Sequence, residues 1–147
     1  MNPFPKPLLL EFIDNPAKKN RRFQLIAPFV YKDRKDCIEI PPLYDTDFAS
    51  IPRCFWFILP PVGLYGKAAV VHDYLCDECE KCNYQYPPET KTRAEADRIF
   101  LNAMKILGVA VWKRYPMYWA VYLWGRFSEW KGKRRAQNNR TFPPATA

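Results

Sequence analysis

His72 is the only histidine in the chain, and an aspartate follows it directly in Ala68-Ala-Val-Val-His-Asp-Tyr-Leu-Cys76. Imidazole is the side chain whose ordinary pKa lies near neutrality, so imidazole acid–base chemistry or metal ligation here must run through one residue. Mechanisms that draw two or more histidines from one chain are excluded. Metal-dependent phosphohydrolases with a His…His-Asp…Asp set fall, and so do His-Glu-x-x-His zinc peptidases. A general base also needs a carboxylate to fix its tautomer and stabilise the imidazolium. Asp97 fits that need, because it borders the apolar stripe of the next helical segment, three residues before Phe100 and seven before Met104. If the two segments pack antiparallel, His72 and Asp97 meet.

Around this pair other groups gather. Asp73 sits about 100° round the helix from His72 and can hold a calcium-like cation, with Asp47 and loop oxygens completing the shell. Ser50, Tyr74 and Arg93 are candidates for the pocket wall. Cys76-Asp-Glu-Cys79-Glu-Lys-Cys82 carries two consecutive Cys-x-x-Cys spacings, a pattern that suits zinc or an iron–sulfur cluster. His72, one turn before Cys76, is available as a fourth ligand. Each group also has a plain structural role. A buried His–Asp pair locks helices together, Thr46 and Asp47 shape an Asx or cap turn, and the cysteines are free thiols.

The positioning elements are readable from turn and period signals. Residues 8–13, 22–32 and 37–40 read as short strands, broken by Asp14-Asn15-Pro16 and Pro41-Pro42, and so as an antiparallel meander. Helices are expected over 66–77, from the capping box Thr92-Arg-Ala-Glu95 to Gly108, and over 116–130 with Pro116 in the first turn. The fold class is α+β: an N-terminal meander packed on three helices. One domain is expected over residues 1–130, with 131–147 as a basic, extended tail.

At 147 residues, 48% apolar and 16% aromatic, the chain has material for a real core. The formal charge of +8 points to an anionic partner, nucleic acid or a membrane surface. Lys131, Lys133, Arg134, Arg135 and Arg140 supply part of it, and Lys18, Lys19, Arg21 and Arg22 form a second cluster in an expected hairpin turn. No two-histidine zinc finger, helix-turn-helix or ribonucleoprotein motif is present, although Lys113, Arg114 and Arg126 are placed to touch phosphates. No transmembrane segment is expected, because the most apolar run, Phe55-Trp-Phe-Ile-Leu59, ends at Pro60-Pro61. That run reads as core or as an exposed aromatic patch. The start of the chain is proline-rich rather than basic-then-apolar, so synthesis in a host cytoplasm is expected. Cysteines there favour thiols or metal ligands over disulfides.

Two resemblances follow from these residues. His-Asp-Tyr-Leu with Arg-x-x-x-Asp-x-x-Phe-x-x-x-Met, over residues 66–107, resembles the secreted calcium-dependent phospholipases, particularly the small bacterial and fungal ones. That likeness implies His72 as the water-activating base, Asp73 as a calcium ligand and Asp97 as the histidine's partner. It departs in lacking a glycine-rich calcium loop and the matching disulfides. A wider likeness covers roughly residues 8–130 through Thr46-Asp-Phe-Ala-Ser-Ile-Pro-Arg53, His-Asp-Tyr-Leu75, Arg93-x-Glu-Ala-Asp97-x-x-Phe100 and Met117-Tyr…Gly125. These motifs resemble a domain family of unknown function widespread in bacteriophages and prophages; where that family leads one to expect tyrosine, this chain has Cys76. The resemblance implies a phage-encoded accessory protein and no particular reaction. The expected function is a hydrolase acting on lipid or cell wall at the host envelope. Two readings compete with it: a virion part such as a tail or baseplate component contacting other virion proteins, and a cysteine-stapled binding module.

Overall fold

The computed structural model describes residues 2–15, 20–46, 65–81 and 91–140. Among these residues five strands precede three helices, the expected α+β order: β1 (Leu10–Asn15), β2 (Asn20–Leu25), β3 (Phe29–Lys32), β4 (Cys37–Ile40), β5 (Asp45–Thr46), α1 (Gly66–Lys81), α2 (Arg93–Ile106) and α3 (Val111–Arg140). The strands do not form one meander. β1, β2 and β5 make an antiparallel sheet in that order, and β3 pairs with β4 in a separate hairpin. The segment expected as one strand over 22–32 is two, because Pro28 brings no N–H to a ladder and the chain bends between Ile26 and Pro28. β5 falls in what reads as a pure loop. It is placed by a turn in which Leu43 adopts φ 64°, its N–H bonding the Leu25 carbonyl at 2.8 Å. The Gln24 amide then donates to Asp45 Oδ1 at 2.9 Å. β4 keeps a strict alternation, with Ile38 and Ile40 inward and Cys37 and Glu39 outward.

α1 is buried on most sides, from Ala68 through Asp73 and again at Leu75, Cys76 and Cys79, so it forms the axis of the core. α2 begins at the expected capping box. Thr92 Oγ1 accepts from the Glu95 N–H at 3.3 Å, and Glu95 Oε2 accepts from the Thr92 N–H at 2.8 Å, which also lowers the Glu95 carboxyl pKa. Its far end closes as a Schellman turn. Gly108, at φ 74°, donates to the Lys105 carbonyl at 3.1 Å, and Val109 donates to the Met104 carbonyl at 3.0 Å. Contacts run in opposite order along α1 and α2, from Glu80 with Arg93 to His72 with Phe100, so the two helices are antiparallel.

α3 differs from expectation at both ends. It starts at Val111, with the Ala110 carbonyl accepting from Lys113 and Arg114 at 3.0 Å each, so Pro116 lies inside it and not at its first position. Pro116 is still within the second turn, where its missing N–H leaves only the Trp112 carbonyl without its helical donor. At the other end the segment expected to be an extended tail is helical through Arg140. Residues 131–140 hold five lysines and arginines, good helix formers, against one glycine and two asparagines, with no proline before Pro143.

Candidate functional site

The antiparallel helices bring His72 and Asp97 together: His72 Nε2 lies 2.8 Å from Asp97 Oδ1. The ring is tilted against Phe100, centroids 4.9 Å apart. Cys76, one turn along α1, places Sγ 3.5 Å from Nε2 and 3.7 Å from Nδ1. The two distances are nearly equal, so the sulfur is in line with neither nitrogen. His72 is 1% exposed and Asp97 2%. Burial opposes a proton on the ring, but the Cys76 sulfur, the Asp97 carboxylate and Asp73 outweigh it and raise the His72 pKa to about 10. The raised pKa favours an imidazolium that donates Nε2–H to Asp97. In that form the imidazole has no lone pair with which to take a proton, and the pair acts as a charged clamp between helices.

The neighbouring candidates are drawn into the same packing. Asp73 Oδ2 accepts from Thr46 Oγ1 at 2.8 Å, tying β5 to α1, and both residues are buried. Tyr44 repeats the tie one turn on. Its hydroxyl donates to Asp77 Oδ2 at 2.7 Å and its ring meets Tyr74 edge-on at 5.4 Å; burial and Asp77 push its pKa upward. Cys79 does not point at Cys76's partner; its thiol donates to the Lys91 carbonyl at 3.1 Å. Among the described residues no cluster of three potential metal ligands forms. Arg93, expected in a pocket wall, is 6% exposed. It lies 3.8 Å from Glu80 and against Gly125, where an added Cβ would stand 2.7 Å from its Nε. It joins α1, α2 and α3. Asp47, Ser50, Cys82, the Phe55–Leu59 run and Lys18 and Lys19 lie outside the described residues.

What the sequence reading missed is on the other side of α3. Met117 and Val121 are buried, with Gly125 on the same face. Trp112, Trp119, Leu123, Phe127 and Trp130 recur at helical spacing on the opposite face, and all are exposed, from 45% at Phe127 to 66% at Trp112. The five span 19 residues, about 27 Å of helix. Four of the chain's five tryptophans are on this helix and all four are exposed, against the strong tendency of tryptophan to be covered. The helix also carries eight of the 23 lysines and arginines and one of the 15 acids, so it holds +7 of the formal +8. The signal was available: two apolar stripes on one helix, of which a small domain covers only one.

Residues 23–121 match the family described as protein of unknown function (DUF1353), a span that contains His72, Asp73, Asp97 and the first part of α3. Over 120 residues the chain is 38% identical to the uncharacterized protein y4jT of Sinorhizobium fredii. That match takes in 78% of this chain and 32% of the relative, so the chain spans about a third of the relative's length. No solved structure matches it.

Proposed function

This chain belongs to the DUF1353 family of proteins of unknown function, and we propose that it is a docking module that lies on anionic membrane surfaces through α3. The carrying observation is the exposed Trp112–Trp130 stripe on a helix of net charge +7. Amphipathic aromatic rings favour the headgroup boundary, and each nearby lysine or arginine contributes about 1 kcal/mol toward anionic lipid. No helix among the described residues is long and apolar enough to cross a membrane, and the charges on α3 favour lying on one. A second copy is a poor occupant, since two faces of the same strong charge repel. The buried His72–Asp97 clamp, Arg93 and the Thr46–Asp73 tie hold α1 and α2 as the platform for α3.

The test is co-sedimentation with vesicles. The chain should bind anionic vesicles at low salt, lose most binding at high salt, and bind neutral phosphatidylcholine vesicles poorly. Replacing Trp119, Leu123 and Phe127 with serine should abolish binding while the fold survives, because these side chains touch solvent. Failure to bind anionic vesicles, or salt-resistant pairing of two chains through this face, overturns the reading.

A second reading is supported by the 2.8 Å His72–Asp97 contact: a hydrolase acting on envelope lipid or cell wall. It requires the buried imidazolium to lose its proton before acting. It is supported if His72→Gln keeps its fold and loses all release of product from lipid or peptidoglycan, and fails if wild type releases none. A phage setting, in the virion or at the host envelope, belongs to the proposal as well. It rests on the resemblance of the four motifs, and a band for this chain in purified particles would support a virion place.

A further inference from the structure

A cleft of about 390 Å³, with His72 not in its wall, lies between the β3–β4 turn, α2 and the start of α3. Its volume falls in the lower part of the range that holds small molecules. Four cations line it: Lys35 from the turn, Arg98 and Lys105 from one face of α2, and Arg114 from α3. None is in an ion pair with a carboxylate among the described residues. The two acids in the wall are turned to internal duty. Asp33 Oδ2 accepts from Asn102 Nδ2 at 2.5 Å and Oδ1 from the Arg34 N–H at 2.6 Å. Asp36 Oδ1 takes Lys91 Nζ at 2.6 Å. With both acids counted, the wall has a formal excess of two positive charges. Ile99, Leu101 and Tyr115 supply an apolar side to the same space.

We propose that this cleft binds a small organic phosphate monoester. A monoester is close to a dianion at neutral pH, which matches the excess charge, and its three oxygens suit the donor forks of Arg98 and Arg114. The acids already engaged by Asn102, Arg34 and Lys91 hold the wall in place and do not compete for the arginines. The organic part of the ligand lies along Ile99, Leu101 and the Tyr115 ring. Such a phosphate is found free in solution or as the headgroup of a lipid such as phosphatidic acid. The proposal does not depend on α3 docking on a membrane.

The experiment is an amide NMR titration with glycerol 3-phosphate, beside vesicles containing phosphatidic acid or phosphatidylglycerol at matched surface charge. Glycerol 3-phosphate should perturb Lys35, Arg98, Asn102, Lys105 and Arg114 saturably. Arg98→Gln with Lys105→Gln should weaken it about tenfold, since two charge-assisted contacts are lost. Both residues are exposed, so the variant should melt as the wild type does and still bind phosphatidylglycerol vesicles. A preference for phosphatidic acid that the variant loses assigns the lipid source. Soluble binding without that preference assigns a free ligand, and either result supports the cleft. Equal affinity in the double variant, shifts confined to residues 131–140, or no binding in either arm overturns it. Loss of vesicle binding in the α3 serine variant with glycerol 3-phosphate binding intact would leave this inference standing alone.

Discussion

The surroundings of His72 favour a proton on the ring, where a catalytic base would carry none. Its folded pKa is raised from 6.5 to about 10, so its contribution to stability is full below 6.5 and is lost as pH rises through about 10. The ring signals should therefore stay at the imidazolium position across pH 5–8 in NMR spectra, and thermal melting should fall as pH climbs from 8 toward 10. A ring titrating near 6.5 would contradict this. His72→Gln or Asp97→Asn, each leaving a buried partner uncompensated, should cost about 3–5 kcal/mol by denaturant unfolding. The double variant should lose less than the sum of the two. The contact itself was legible in the sequence, because an antiparallel pair of amphipathic helices puts those two positions face to face. The charge state was not legible. It depends on complete burial and on Cys76 and Asp73 sharing the ring's surroundings.

At the scale of elements, the ends of α2 were the most readable feature, since a capping box and a glycine stop act through neighbouring backbone groups only. Thr92→Ala should cost about 1 kcal/mol, measured by chemical unfolding. Gly125 is a different case. In a helix, alanine is intrinsically better by about 1 kcal/mol, yet here its Cβ would meet the buried Arg93 guanidinium. Gly125→Ala should therefore lower stability, and Gly125→Ala combined with Arg93→Ala should recover part of the loss. A stabilised Gly125→Ala would show that Arg93 does not rest on α3. Sequence period alone does not reveal such a close approach between helices. The strands were less legible for a related reason. Pro28 divides one alternating run between two sheets, and β5 is a strand only because the Leu43 turn returns the chain to β2.

For the molecule as a whole, charge decides more than composition suggested. The sequence already shows the +8 as uneven, with clusters over 18–22 and 131–140, and residues outside α3 hold only +1 of it. The basic segment expected as a tail continues a helix whose opposite faces are both apolar. One face is used by Met117, Val121 and Gly125, and the other is left to solvent. The fold class followed from the order of strand and helix signals; the exposed face of α3 did not, because tertiary packing decides which of its two apolar stripes is covered. The exposed face also makes the docking proposal directly measurable, since three of the five tryptophans, Trp112, Trp119 and Trp130, lie on it. The chain should be mixed with anionic vesicles whose acyl chains carry bromine, and tryptophan emission recorded. Insertion of α3 predicts a shift to shorter wavelength and strong quenching by the brominated chains, both reversed by salt. Unchanged emission without quenching, at lipid concentrations where the anionic vesicles are in large excess, would contradict it.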